Sequence, residues 1–298
     1  MKDDMVPRAF NLGSINMDMV IQLERFPEAG ETAIGRMTVE ALGGKGLNAS
    51  VAIHLAGGEV RHIGAVNKDD SSVLSAIASL GLSTDYIEQA EQPTGQAVVM
   101  LDASSENRIV VCPGANHSIS DDHISAALSE ARTGDWLVMQ NETKGQAHAI
   151  QVAKERNMKV AMVAAPFVAD DVLPLLDNID LIALNETEAQ QLQSACGLEL
   201  NNLPVEHILM TLGSRGATHV TESKSTSVAA HVVTAVDTTA AGDTFFGYFL
   251  ASFMQGRPIA DSLALANSAA ALAVQRNGAV SSIPTFSEAE AGIKAQTT

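Results

Sequence analysis

Short apolar runs alternate with longer amphipathic ones along most of the chain, and this alternation predicts the architecture. Apolar Ala9-Phe10 and Leu12 mark a buried strand within residues 8–16, and residues 136–139, 159–163, 180–184 and 208–212 read as four more. Helical spacing of apolar positions predicts helices over 49–56, 121–131, 146–156, 187–194 and 245–253. Repeated strand–helix units predict an α/β fold, three layers deep (α/β/α), with a central, mostly parallel sheet whose ligands bind beyond the strands' carboxyl ends. Two stretches break the rhythm. Residues 19–42, around Pro27-Glu28-Ala29-Gly30, and 94–111, around Ser104-Ser105-Glu106-Asn107, alternate apolar and polar side chains with period two. That is strand spacing, and it predicts a small separate sheet placed to act as a lid on one domain spanning 1–298.

Polar clusters gather where the strands end. Gln140-Asn141-Glu142, Asn185-Glu186-Thr187-Glu188 and Gly213-Ser214-Arg215-Gly216 each follow a strand. Any one of them reads equally as a turn or a helix cap; together they line one edge of one sheet. Asn16 and Asp18, two apart on an extended chain, face the same way and suit either a strand-end turn or adjacent hydroxyls of a polyol. Gly43-Gly44-Lys45-Gly46-Leu47-Asn48 is a tight turn entering a helix, with donors at its start.

The stretch from Val236 to Gly247 carries the strongest signal. Small and hydroxylated residues from Thr238 end in Ala240-Ala241-Gly242-Asp243, and an apolar helix follows at once. The first amides of a helix lack internal partners and sit at the positive end of its dipole, so this start suits a phosphate oxygen. Asp243 in the first turn is then either an ordinary cap or a base that takes a proton from an attacking hydroxyl.

Composition narrows the partners. A net charge of −17 over 298 residues disfavours nucleic acid and anionic membrane surfaces. Cys112 and Cys196 lie outside any metal-binding spacing and read as reduced thiols in or near the core. The acidic start Met1-Lys2-Asp3-Asp4 is unlike a signal peptide and no apolar run has membrane-spanning length, so a cytoplasmic location is expected.

Asp237-Thr-Thr-Ala-Ala-Gly-Asp243 and Gly43-Gly44-Lys45-Gly46-x-Asn48, in this order with Gly13–Asp18 before them and Asn277–Ser282 after, give a chain that resembles the ribokinase-like carbohydrate kinases, the PfkB family. The resemblance implies an ATP-dependent sugar kinase, with ribose as the acceptor suggested by Lys45. It implies that Asn16, Asp18, Gly44, Lys45, Asn48 and Glu142 hold sugar hydroxyls, with Asp243 as base and Ala240, Ala241 and Gly242 supplying amides to the transferred phosphoryl group. It further implies an ATP site at Asn185, Thr211, Leu212, Gly213, Ser214, Arg215, Gly216, Gly242 and Asn267, with Glu188 acting on Mg²⁺ through water. A K⁺ site would use Asp237, Thr239, Ala273, Arg276, Gly278 and Ser282, and the lid would pair two copies into a homodimer. Gln96 and Cys112 in the lid, and Ala164-Ala165-Pro166, depart from the family's usual residues. They leave open another pentose, a ketohexose or a nucleoside as acceptor, or a catalytically silent sugar-binding protein.

Overall fold

The computed structural model describes residues 6–102 and 107–296, so the turn expected at Ser104–Glu106 and the termini, Met1–Asp4 among them, lie outside the described residues. The run expected as one strand within 8–16 is two elements, β1 (Ala9–Leu12) and the start of β2 (Asn16–Gln22). Between them Gly13 passes so near Gly46 that a Cβ on Gly13 would stand 2.5 Å from the Gly46 Cα. That crossing bends the chain out of one sheet and into another.

After β3 (Arg36–Gly43) come α1 (Lys45–Leu55), β4 (Val60–Asn67), α2 (Ser71–Ser79), β5 (Ile87–Ala90), β6 (Gly95–Leu101) and β7 (Asn107–Cys112). Strict alternation follows: α3 (Asp121–Leu128), β8 (Trp136–Gln140), α4 (Gln146–Glu155), β9 (Lys159–Val163), α5 (Ala169–Val172), β10 (Leu181–Asn185), α6 (Glu186–Cys196) and β11 (His207–Thr211). An antiparallel pair, β12 (Ala217–Val220) and β13 (Ser225–Val228), then precedes α7 (Ala241–Met254), α8 (Ile259–Ala273) and α9 (Phe286–Gln296).

The central sheet has nine strands in the order β13-β12-β11-β10-β9-β8-β1-β4-β5, parallel except at β12 and β13. Alternate residues of its strands enter two separate cores. Ala9, Val60, Val138 and Ala161 pack with α1, α7 and α8, whereas Phe10, Ile63, Leu137 and Val160 pack with α3, α4 and α6. Both faces of the sheet are therefore covered, which is why its strands read as continuous apolar runs.

The second sheet has the order β3-β2-β6-β7. Its strands reach beyond the expected 19–42, because β2 begins at Asn16, and β2 pairs in parallel with β6. On it Met37, Ile109, Val110 and Val111 are exposed. So is Cys112, contrary to the expectation of a core thiol: it lies on β7, at the edge of this half-covered sheet, while Cys196 is partly buried.

Candidate active site

The start of α7 lies at the carboxyl end of the large sheet. Ala240 caps it in a left-handed conformation (φ 59°), an uncommon state for a residue with a Cβ. Thr244 N donates to Ala240 O at 2.8 Å and Ala241 N to Thr238 O at 3.3 Å, so the amides of Gly242 and Asp243 have no backbone acceptor among the described residues. In front of them is open space: a Cβ on Gly242 would meet nothing within 4 Å.

That space is a cavity of about 460 Å³ bordered by Thr211, Gly213, Ser214, Gly216, Gly242 and Asn267. Its floor is a tight turn in which Leu212 N donates to Gly216 O at 2.8 Å. Gly216 holds φ 107°, and a Cβ there would lie 2.0 Å from Val228 O, so only glycine fits. Ala230, Val232 and Val233, with His231 among them, form a largely apolar wall. These residues were missed in the sequence because β12 and β13 are short and the irregular segment after them has neither helical nor strand periodicity. Asn267 ties this wall to α8 by donating from Nδ2 to Ala229 O at 3.1 Å. Arg215 points away from such a role, into an exposed ion pair with Glu186.

On the other side of Asp243 lies a cluster made of side chains. Asn48 Nδ2 donates to Asp243 Oδ2 at 3.0 Å. Glu142 Oε2 accepts from Ser14 Oγ at 2.5 Å and from Lys45 N at 3.2 Å, joining β8's end to the start of α1. Asn116, not singled out in the sequence, donates from Nδ2 to Asn16 Oδ1 at 2.8 Å and accepts from Ile15 N at 2.8 Å, and so fixes Asn16. Gly44 caps α1 at φ 100°, where a Cβ would stand 2.7 Å from Ser14 O.

Charge is concentrated here. Asp243 is buried, which pushes its carboxyl above the usual range; Glu142 and Glu188 add to this while Lys45 and the Asn48 bond oppose it. Burial, with Glu142 and Asp243, raises Asp18 to about 6 against the pull of Lys45. Asp243, then Glu142, Glu188 and Asp18, hold the Lys45 ammonium above its ordinary value against its burial. The cation serves all four carboxylates through its field, since no direct ion pair with any of them closes among the described residues.

Glu188 and Asn185 form a reciprocal cap at the start of α6, with Glu188 Oε2 accepting from Asn185 N at 2.7 Å and Asn185 Oδ1 from Glu188 N at 2.9 Å. The remaining Glu188 oxygen is left for another partner. Asp237 spans two segments: its Oδ1 accepts from Thr239 N and its Oδ2 from Gly278 N, both at 2.9 Å. Desolvation opposes these bonds, and they still hold Asp237 below the usual carboxylate range. Ser282 is buried and donates to Ala279 O at 2.7 Å. Ala273 O accepts from Arg276 N, closing the end of α8 beside the same turn.

Residues 8–286 match the pfkB family carbohydrate kinases. The ribokinase of Haemophilus influenzae is 36% identical over 294 residues, covering 93% of this chain and 95% of that protein. A ribokinase from Thermotoga maritima superposes with a TM-score of 0.85 at 29% identity, over 97% of this chain and 100% of that one. The Arabidopsis thaliana ribokinase complexed with ribose and ATP does so with a TM-score of 0.82 at 27% identity, over 97% and 99%. Fold, site and likeness together define a sugar kinase, a phosphotransferase acting on a carbohydrate. The chain belongs to the pfkB family of carbohydrate kinases, and its curated relatives of 31–36% identity are ribokinases.

Proposed function

We propose that this protein transfers the γ-phosphoryl group of ATP to the primary hydroxyl of D-ribose, with Asp243 as the base. The observation that carries the reading is the position of Asp243: a buried carboxylate, hydrogen-bonded to Asn48, at a helix start whose next amides open onto the cavity. Phosphoryl transfer passes through a loose transition state, so the protein has mainly to place the two reactants in line and neutralise charge. The amides of Gly242 and Asp243, with Ala240 and Ala241 shaping the turn, receive the equatorial oxygens. The acceptor hydroxyl lies against Asp243 and gives up its proton to Oδ1, the oxygen that Asn48 leaves unoccupied.

Asn16, Asp18, Lys45, Asn48 and Glu142 offer both donors and acceptors, as a polyol requires. Nucleotide binding falls to the Thr211–Gly216 turn, Asn185 and Asn267, with the apolar wall at 230–233 against the base. Among the described residues no three His, Cys, Asp or Glu side chains gather to hold a metal. Glu188 would hold Mg²⁺ through water, its second oxygen being left over from the cap with Asn185. Asp237 and the carbonyls of Thr239, Ala273, Arg276 and Gly278, with Ser282 behind them, are hard oxygen donors that fit K⁺. When bound, the two ions offset phosphate charge and stiffen the turn before α7. The four-stranded sheet acts as a lid of this one domain, and its exposed Met37, Ile109 and Val110 favour a homodimer.

The test is an ADP-release assay over ribose, deoxyribose, other pentoses, fructose and nucleosides, with and without K⁺. Ribose is expected to give the highest kcat/KM, with a several-fold gain from K⁺. A higher value for another acceptor overturns the substrate; no turnover with any of them overturns the kinase mechanism.

A further inference from the structure

Beneath α1, in the middle of an apolar core, three neighbouring strands each place a polar side chain on the same face. Gln140 comes from β8, Asn11 from β1 and His62 from β4, with Asn11 and His62 in direct register. All three are at most 1% exposed, as is Ser50 on α1. Polar groups in such a place are costly unless they bond to one another.

They form one chain. Gln140 Nε2 donates to Asn11 Oδ1 at 3.0 Å. Asn11 Nδ2 uses both hydrogens, one on Gly46 O at 2.7 Å and one on Ser50 Oγ at 2.8 Å. Ser50 Oγ in turn shares a hydrogen bond with His62 Nδ1, 2.8 Å away. At its two ends, Gln140 Oε1 and His62 Nε2 are buried without a hydrogen-bond partner among the described residues. Burial lowers His62 to about 4, so the ring stays neutral in spite of an opposing contact with the Gly13 backbone.

Gly46 lies between Lys45 and Asn48, so Asn11 fastens the first turn of the helix that holds both. Gly13 and Gly46 touch backbone to backbone there, leaving no slack on the other side. Asn48 in turn holds Asp243. We propose that Gln140, Asn11, Ser50 and His62 are positioning residues for phosphoryl transfer, fixing the start of α1 so that Asn48 and Lys45 keep Asp243 aimed at the acceptor hydroxyl. The proposal rests on Asp243 being the base.

Stability and positioning separate in two variants of the full chain. Asn11→Leu leaves Gln140, Ser50 and Gly46 O short of partners, and it lowers both the melting temperature and kcat, the latter roughly 10- to 100-fold given the sensitivity of such alignment. The triple variant Asn11→Leu/Gln140→Met/His62→Phe makes the layer apolar, and Ser50 can fall back on its own helix carbonyl. Its melting temperature returns toward the parent value, whereas kcat stays low because no side chain from β1 then ties Gly46 O, and with it the first turn of α1, to the sheet. KM for ATP stays within about twofold in both, since other elements build that cavity. A kcat that recovers with the melting temperature overturns the proposal. In the parent protein, ¹⁵N NMR of His62 is expected to show a neutral ring whose Nδ1 is hydrogen-bonded to Ser50, and an Nδ1 without that bond also overturns it whether or not the variants fold. Asp243→Asn assayed alongside keeps the two claims apart: near-normal turnover there defeats the base, while an inert Asp243→Asn beside a fast triple variant defeats only the positioning chain.

Discussion

The two halves of the site are built from different materials. The nucleotide side is backbone: a glycine turn at 213–216, a left-handed cap at Ala240 and free amides at the start of α7. The acceptor side is side chains, with carboxylates from β2, α7 and the residues after β8 gathered around Lys45. Backbone dipoles are fixed and do not titrate, so the first half is sensitive to bulk and insensitive to pH. Titratable side chains held in a buried cluster behave the opposite way.

The largest effect separating the halves is expected at Gly242. Gly242→Val folds normally, since a Cβ meets nothing in the free protein, but it fills the space a phosphate needs. We expect kcat/KM for ATP to fall by about 10²- to 10³-fold, the scale of losing one oxyanion donor, with calorimetry showing an unchanged melting temperature. A pH-independent loss marks the backbone half.

A smaller effect, and of the opposite kind, is expected at Asp18. In the folded chain it keeps its proton up to about pH 6. Between its unfolded pKa and that value the folded state binds more protons than the unfolded one, so stability falls as pH rises through this window. Asp18→Asn removes the dependence: its melting temperature should exceed the parent's by a few degrees at pH 7.5 and match it near pH 4, while KM for the sugar rises about tenfold. Equal melting curves at both pH values would contradict the buried-charge account of the acceptor half.

The smallest effect belongs to Arg215. Its exposed ion pair with Glu186 is of a kind worth about 0–1 kcal/mol, and its side chain faces away from the cavity. Arg215→Ala should leave KM for ATP within about twofold, and a larger change would bring that side chain into the nucleotide half.

What the sequence made legible follows the same division. The parallel sheet was visible because both of its faces are covered and its strands are apolar runs; β12 and β13 were not, being short and rich in hydroxyls. Asp243, Lys45 and Asn48 stood out because each sits beside glycines at a helix start. The apolar wall at 230–233 has no periodicity to betray it. Asn116 and Asn11 were hidden for another reason: each acts through partners roughly 35 to 100 residues away in the chain, and no local pattern encodes such pairings. Cys112 misled because an apolar strand suggests burial, whereas β7 forms the edge of a sheet with an exposed apolar strand face.

The most direct test of the account is Asp243→Asn, with kcat measured on ribose and ATP affinity measured by calorimetry on the same preparation. The substitution keeps the shape of the side chain and removes its charge and its ability to take a proton. The account predicts a kcat lower by about 10²- to 10⁴-fold with ATP binding unchanged. Turnover near that of the parent protein would contradict it.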